Sequence, residues 1–128
     1  PIAQRCAKLH FLHGCGWPGV DGEEVARYVI HYVDGSTVVV PVVYGEALRN
    51  WQYGPDMPEN ERTGGEIVWK GPQTRWLEHY PDWGVRLYRM TWENPHPEKQ
   101  IATLDLVSSM RASAVFVVAI TADPVIAD

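Results

Sequence analysis

At 128 residues the chain is of single-domain size, and it is long enough to bury a core without covalent staples. Its formal net charge of −5 and sequence pI near 5.5 argue against the phosphate backbone of nucleic acid, which needs a basic face, and against an anionic membrane surface. Six Trp and six Tyr stand against two Phe, a balance that suits cores with a wet rim or binding surfaces, because these rings join an apolar body to a polar handle.

In chain order the pattern is all strands. Leu9, Phe11 and His13 alternate with His10 and Leu12. Tyr28, Ile30 and Tyr32 alternate with Val25, Val29 and Val33, and Asp34-Gly35-Ser36 then predicts a hairpin turn. The return strand runs from Thr37 to Tyr44, and Pro41 within it predicts an edge position or a bulge, since proline gives nothing to a ladder. A turn at Gly45–Leu48, a short segment Arg49–Trp51 and a polar loop from Tyr53 to Gly65 follow. Strands are then expected at Glu66–Lys70, Val85–Glu93, Ile101–Ser108 and Val115–Thr121, with an aromatic loop between Gly71 and Gly84. Trp69 and Trp92, on strands, are expected in the core. Residues 123–128 are read as a flexible tail.

About eight short strands with Gly and Pro turns predict an all-β chain, an antiparallel β-sandwich or jelly roll, over residues 1–128. The first residue is not Met and no charged-then-apolar leader is visible, which reads as a domain cut from or appended to a larger polypeptide. Strict reversal at every strand would put loops 14–24, 45–65 and 94–99 at one rim. It would put 34–36, 71–84 and 111–114 at the other.

FLHGCGWPG, GEEVARYVIHYVDGSTVVVPVVYGEALRNW and VRLYRMTWENPHPEKQIATLDLVSSM together resemble a galactose-binding-like jelly-roll domain, over about Leu9 to Ile120. Such domains are accessory modules of large bacterial proteins. The resemblance implies a β-sandwich, an accessory or sugar-binding role, an adjoining domain in a parent protein and an extracytoplasmic, secreted or periplasmic, address. It carries over no catalytic residue.

Sugars stack on Trp and Tyr rings while polar groups at loop tips bond their hydroxyls. The first rim offers Trp17, Arg49, Trp51, Tyr53, Asn94 and His96 as ligand-binding residues. The second offers Trp76, His79, Tyr80 and Trp83, with Arg75 beside them. The leading expectation is thus a non-catalytic module binding a polysaccharide or oligosaccharide.

An alternative is a small copper or zinc enzyme acting oxidatively on polysaccharide, with His13 and His96 as ligands if their loops converge. His10 and His13 would point to opposite faces of a strand, which breaks H-x-x-H as a pair, and His31 reads as a hydrogen-bonded core histidine. A structural calcium held at a loop is kept as an alternative cofactor, although the carboxylates are scattered in sequence rather than clustered. A third reading is an interaction domain, a homodimer through an edge strand near Pro41. Cys6 and Cys15 are either bridged or two buried thiols.

Overall fold

The structure, a computed structural model, describes residues 4–17, 19–53, 66–72, 84–111 and 113–125, with the backbone alone at Gln52, Tyr53 and Pro72. Eight strands are present: β1 Lys8–Gly16, β2 Glu24–Tyr32, β3 Thr37–Val43, β4 Gln52–Tyr53, β5 Glu66–Pro72, β6 Gly84–Glu93, β7 Ile101–Ser108 and β8 Ala114–Asp123. They form two antiparallel sheets, β3-β2-β7 and a five-stranded sheet in which β6 and β8 flank β1. The chain is an antiparallel β-sandwich. β1 pairs with β8 and β2 with β7, which nests the chain's early strands inside its late ones.

The alternation follows the expected pattern except at Val25, which is fully buried with Tyr28 rather than facing out with Val29 and Val33, beside a register shift of β2 on β3 between Glu24 and Ala26. Leu9, Phe11 and His13 on β1 face Tyr28, Ile30 and Tyr32 on β2, all nearly or fully buried. Phe11 and Tyr28 stack with centroids 4.0 Å apart and tie the two sheets together. Asp34-Gly35-Ser36 makes the β2–β3 turn: Gly35 takes φ +91° and the Ser36 amide donates to the Asp34 carboxylate at 2.9 Å. Pro41 lies on β3, an outer strand of its sheet, as a residue without an N–H requires.

Three further strand-level expectations are corrected. Trp69 is 48% exposed, because the register of β5 on β6 shifts between Ile67 and Trp69 and the ring turns over Gly71 on its own strand. Trp92 is only partly buried, though it does pack against the core. His31 faces outward between the inward Ile30 and Tyr32, and its Nε2 lies 2.9 Å from the Asp105 carboxylate. β8 also extends through Asp123, whose carbonyl accepts from the Ala7 amide, so the ordered strand takes in the first residue of the expected tail.

The rim partition is corrected too. β4 and β5 both run antiparallel to β6 and therefore in the same sense, so one of the assumed reversals does not occur. Every later loop changes ends. One end of the sandwich gathers residues 17, 19–23, 44–51, 109–111 and 113, together with the Pro72–Gly84 pairing. The other end gathers Gln4–Ala7, the 33–36 turn and residues 94–100, where Lys99 bridges to Asp34 at 3.0 Å.

Candidate functional site

At the first of these ends β1 and β6 diverge beyond the His13–Tyr88 pairing. Residues 50–53 wedge into the gap. Asn50 bridges to Cys15, the Trp51 amide donates to the Cys15 carbonyl at 2.8 Å, and the Trp51 carbonyl accepts from the Arg86 amide at 2.7 Å. Arg86 is buried, with Nε donating to the Asn50 carbonyl and its guanidinium over the Tyr88 ring. The segment at this end is thus held both by backbone hydrogen bonds and by the Arg86 side chain.

Trp17 stands at this end, 70% exposed and with φ +61°. A bulky residue in the left-handed region carries a strain of about 1–3 kcal/mol that the surrounding loop must hold. Met110, 89% exposed, adopts the same conformation at φ +59°, with its amide donating to Ser108 Oγ. Val20 is exposed at this end as well. At the same end, a cleft of about 340 Å³ opens between the start of β2 and the end of β7, lined by Glu24, Arg27, Val107, Ser108, Ser109 and Arg111. Arg27 and Val107 are partners across the ladder and share its outer face. Arg27 Nε meets Glu24 Oε1 at 2.9 Å.

The other first-rim residues divide. Arg49 grips Asp21 with both terminal nitrogens, at 2.9 and 3.2 Å, and sits over the Tyr44 ring. It orders the loop under Trp17. Trp51 is half-buried, edge-on to Phe116 with centroids 5.3 Å apart. The backbone of Tyr53 pairs with Gly84 at this same end.

Asn94 and His96 are at the opposite end. Asn94 is buried: its Oδ1 accepts from the Tyr32 hydroxyl at 2.6 Å and the His96 amide at 2.9 Å, and its Nδ2 donates to the Cys6 carbonyl at 2.8 Å. Those bonds take up both acceptor sites and one of the two donors, and Nδ2 also lies 3.9 Å from Cys6 Sγ, so the side chain is given over to structural work. The His96 ring meets the Tyr32 ring edge-on, with Nδ1 3.6 Å from Glu98. Trp76, His79, Tyr80, Trp83 and Arg75 lie outside the described residues.

His13 and His96 do not come together. His13 is fully buried with Nδ1 2.8 Å from the Tyr28 hydroxyl, whereas His96 contacts Tyr32, four residues further along β2 and about 13 Å away at strand rise. Burial lowers the His13 pKa to about 4 against a small opposing pull from the Ala47 carbonyl, so the ring is neutral. Among the described residues no group of three or more His, Cys, Asp or Glu is placed to hold a metal.

His10, pointing outward as strand parity requires, is held by Thr91 and Asp123, each at 2.8 Å. Cys6 and Cys15 are unbridged and buried at opposite ends of β1. Burial pushes the Cys15 thiol up to about 11 despite the opposing pulls of Ser113 and Arg86, and it raises Cys6 as well.

Arg27, Ser108, Ser109, Arg111 and Met110 were not singled out from the sequence. The signal for Arg27 was available: it is the one charged residue between Val25 and Tyr32, on the outward parity of a strand whose other face is core. No family model matches the sequence, and no curated protein or solved structure matches it either.

Proposed function

We propose that this β-sandwich is a non-catalytic carbohydrate-binding module, and that its site is the loop end carrying Trp17 and the Glu24–Arg27–Arg111 cleft. One observation carries the reading: a Trp ring 70% exposed shares one end of the sandwich with a polar cleft of about 340 Å³. A pyranose presents an apolar C–H face and a ring of hydroxyls. The Trp17 face suits the first, and the Arg111 guanidinium, the Ser109 hydroxyl and the Glu24 carboxylate suit the second. The cleft volume falls at the small end of ligand sites, enough for one or two sugar units.

Binding rather than hydrolysis fits the carboxylates. Glycosidic cleavage uses two opposed acids, and this cleft is lined by one, Glu24, already engaged by Arg27. The likeness to galactose-binding-like modules points the same way. Stacking on the Trp17 ring gives modest affinity, which tethering to an adjoining domain in a parent protein would raise.

The test is a glycan array together with pull-down on insoluble cellulose, xylan and galactans. Binding that is lost in both Trp17→Ala and Arg111→Ala supports the site. Blank results on every glycan end the reading.

A further inference from the structure

The sandwich is open along one side. Phe11 on Tyr28 places β1 over β2, and a small cleft formed by Pro41, Val43, Glu46, Ala47 and Met90 places β3 on the β6 side. β7 and β8 therefore flank the opposite side. On β8, Val117 and Ile120 occupy inward positions opposite His13 and Phe11, yet they are 37% and 39% exposed. Leu104 and Leu106 on β7, opposite Ile30 and Tyr28, are also incompletely covered.

Apart from one bulge, the strand at this side lacks the usual protections of a sheet edge. β8 is ten residues long, AVFVVAITAD, with no proline and no charge before Asp123. Among the described residues its only ladder partner is β1. The other outer strands are blunted: β3 by Pro41, β7 by Asp105, and β5 by Glu66 and Lys70. On β8 the one irregularity is a bulge at Val118, where the register on β1 slips between Leu12 and His13.

We propose that a second copy of this chain adds to β8, making an antiparallel β8–β8 pair about a two-fold axis. The register that keeps side-chain parity places Val117 opposite Ile120 of the partner subunit and Val115 opposite Ala122 of the partner subunit. Both pairs are on the inward face, so the two cores join. Phe116 and Thr121 of the partner subunit then meet on the outward face.

Charge selects a second copy as the occupant. A chain of net charge −5 repels itself on most surfaces, but this edge is neutral for nine residues. The same register sets Asp123 opposite Ala114 of the partner subunit, three residues from Arg111 of the partner subunit. Across the pair no two like charges face each other. A ten-residue strand pair buries less than the roughly 800 Å² per partner of a standard interface, so the dimer is weak, with a Kd on the order of 10 µM.

Sedimentation velocity from about 1 µM to about 1 mM tests this. The expected mass rises from the 14.5 kDa of one chain to twice that value. Val118→Lys, at a position 56% exposed, should weaken dimerisation at least about tenfold while leaving the circular dichroism spectrum and thermal melt of the dilute protein unchanged. Thr121→Lys should do the same, should Val118→Lys perturb the bulge.

Hydrogen exchange should show β8 amides gaining protection with concentration. A monomer over the whole range overturns the proposal, as does a dimer indifferent to both lysines or protected elsewhere. A chain that stays monomeric but whose β8 amides are protected by an added β-strand peptide also overturns it, and assigns the edge to a foreign strand.

Discussion

His13 on β1 and Tyr28 on β2 share a fully buried hydrogen bond of 2.8 Å across the two sheets, with their rings nearly parallel at 13°. The pair keeps an imidazole inside an otherwise apolar layer, and its burial sets how the fold responds to acid. Folded, His13 stays neutral down to about pH 4; unfolded, it takes a proton near 6.5. Above pH 6.5 neither state binds that proton and the contribution is fully present. As pH falls from 6.5 to 4 only the unfolded chain is protonated, so stability drops by about 3 kcal/mol and then levels off. Urea unfolding at pH 7 and at pH 4.5 measures the slope. His13→Gln should flatten it in this window.

Asn94 is predicted to be a structural residue. Asn94→Ala removes the acceptor of Tyr32 and His96 and the donor to Cys6 together. The cost should be about 3 kcal/mol, seen as a lower denaturant midpoint at unchanged m. Carbohydrate binding at the far end, scaled to the folded fraction, should not change.

Trp17→Ala should do the reverse. The ring is largely in solvent, so stability should stay within about 0.5 kcal/mol. Glycan affinity should fall by about tenfold or more, the loss of roughly 1.4 kcal/mol of stacking. Isothermal titration beside a thermal melt separates the two effects.

Gly45→Ala tests the loop beneath Trp17. Gly45 has φ +87°, and a Cβ there would come 2.9 Å from Asp21 Oδ1, the atom that Arg49 holds. The substitution should cost about 1–2 kcal/mol and loosen the segment around Asp21, weakening glycan binding without touching the cleft.

Both thiols should be silent in the folded protein. Cys6 and Cys15 are buried with raised pKa values, so a thiol-reactive dye should label neither until denaturant is added. Two equivalents should then react. Fast labelling of the native protein would mean that an end of the sandwich opens readily.

The strands were legible because their chemistry is local. Alternation at Leu9–His13 and Tyr28–Tyr32, the Asp34-Gly35 turn and the edge position demanded by Pro41 need only period-two burial and backbone sterics. What did not follow was relational. Nothing in Gln52–Tyr53 says that it runs in the same sense as β5, yet that one fact decides which end each later loop occupies. This separated His96 and Asn94 from Trp17. The Trp69 ring left the core for a similar reason, a slip in pairing with β6 that the residues of β5 alone do not encode. The cleft at Arg27 and Arg111 was hidden because it is built from two strands 80 residues apart in register.

The nested pairing of β1 sets a timetable for synthesis. β1 is bonded on one side by β6 and on the other by β8, whose last residue is Asp123. As the chain emerges, the β2–β3 hairpin can close at once, but β1 waits for about eighty more residues to gain its first ladder and about a hundred to gain its second. Through that interval LHFLH and its neighbours stand as an unpaired apolar strand. An apolar strand left unpaired in this way is open to aggregation until both of its neighbours have been made.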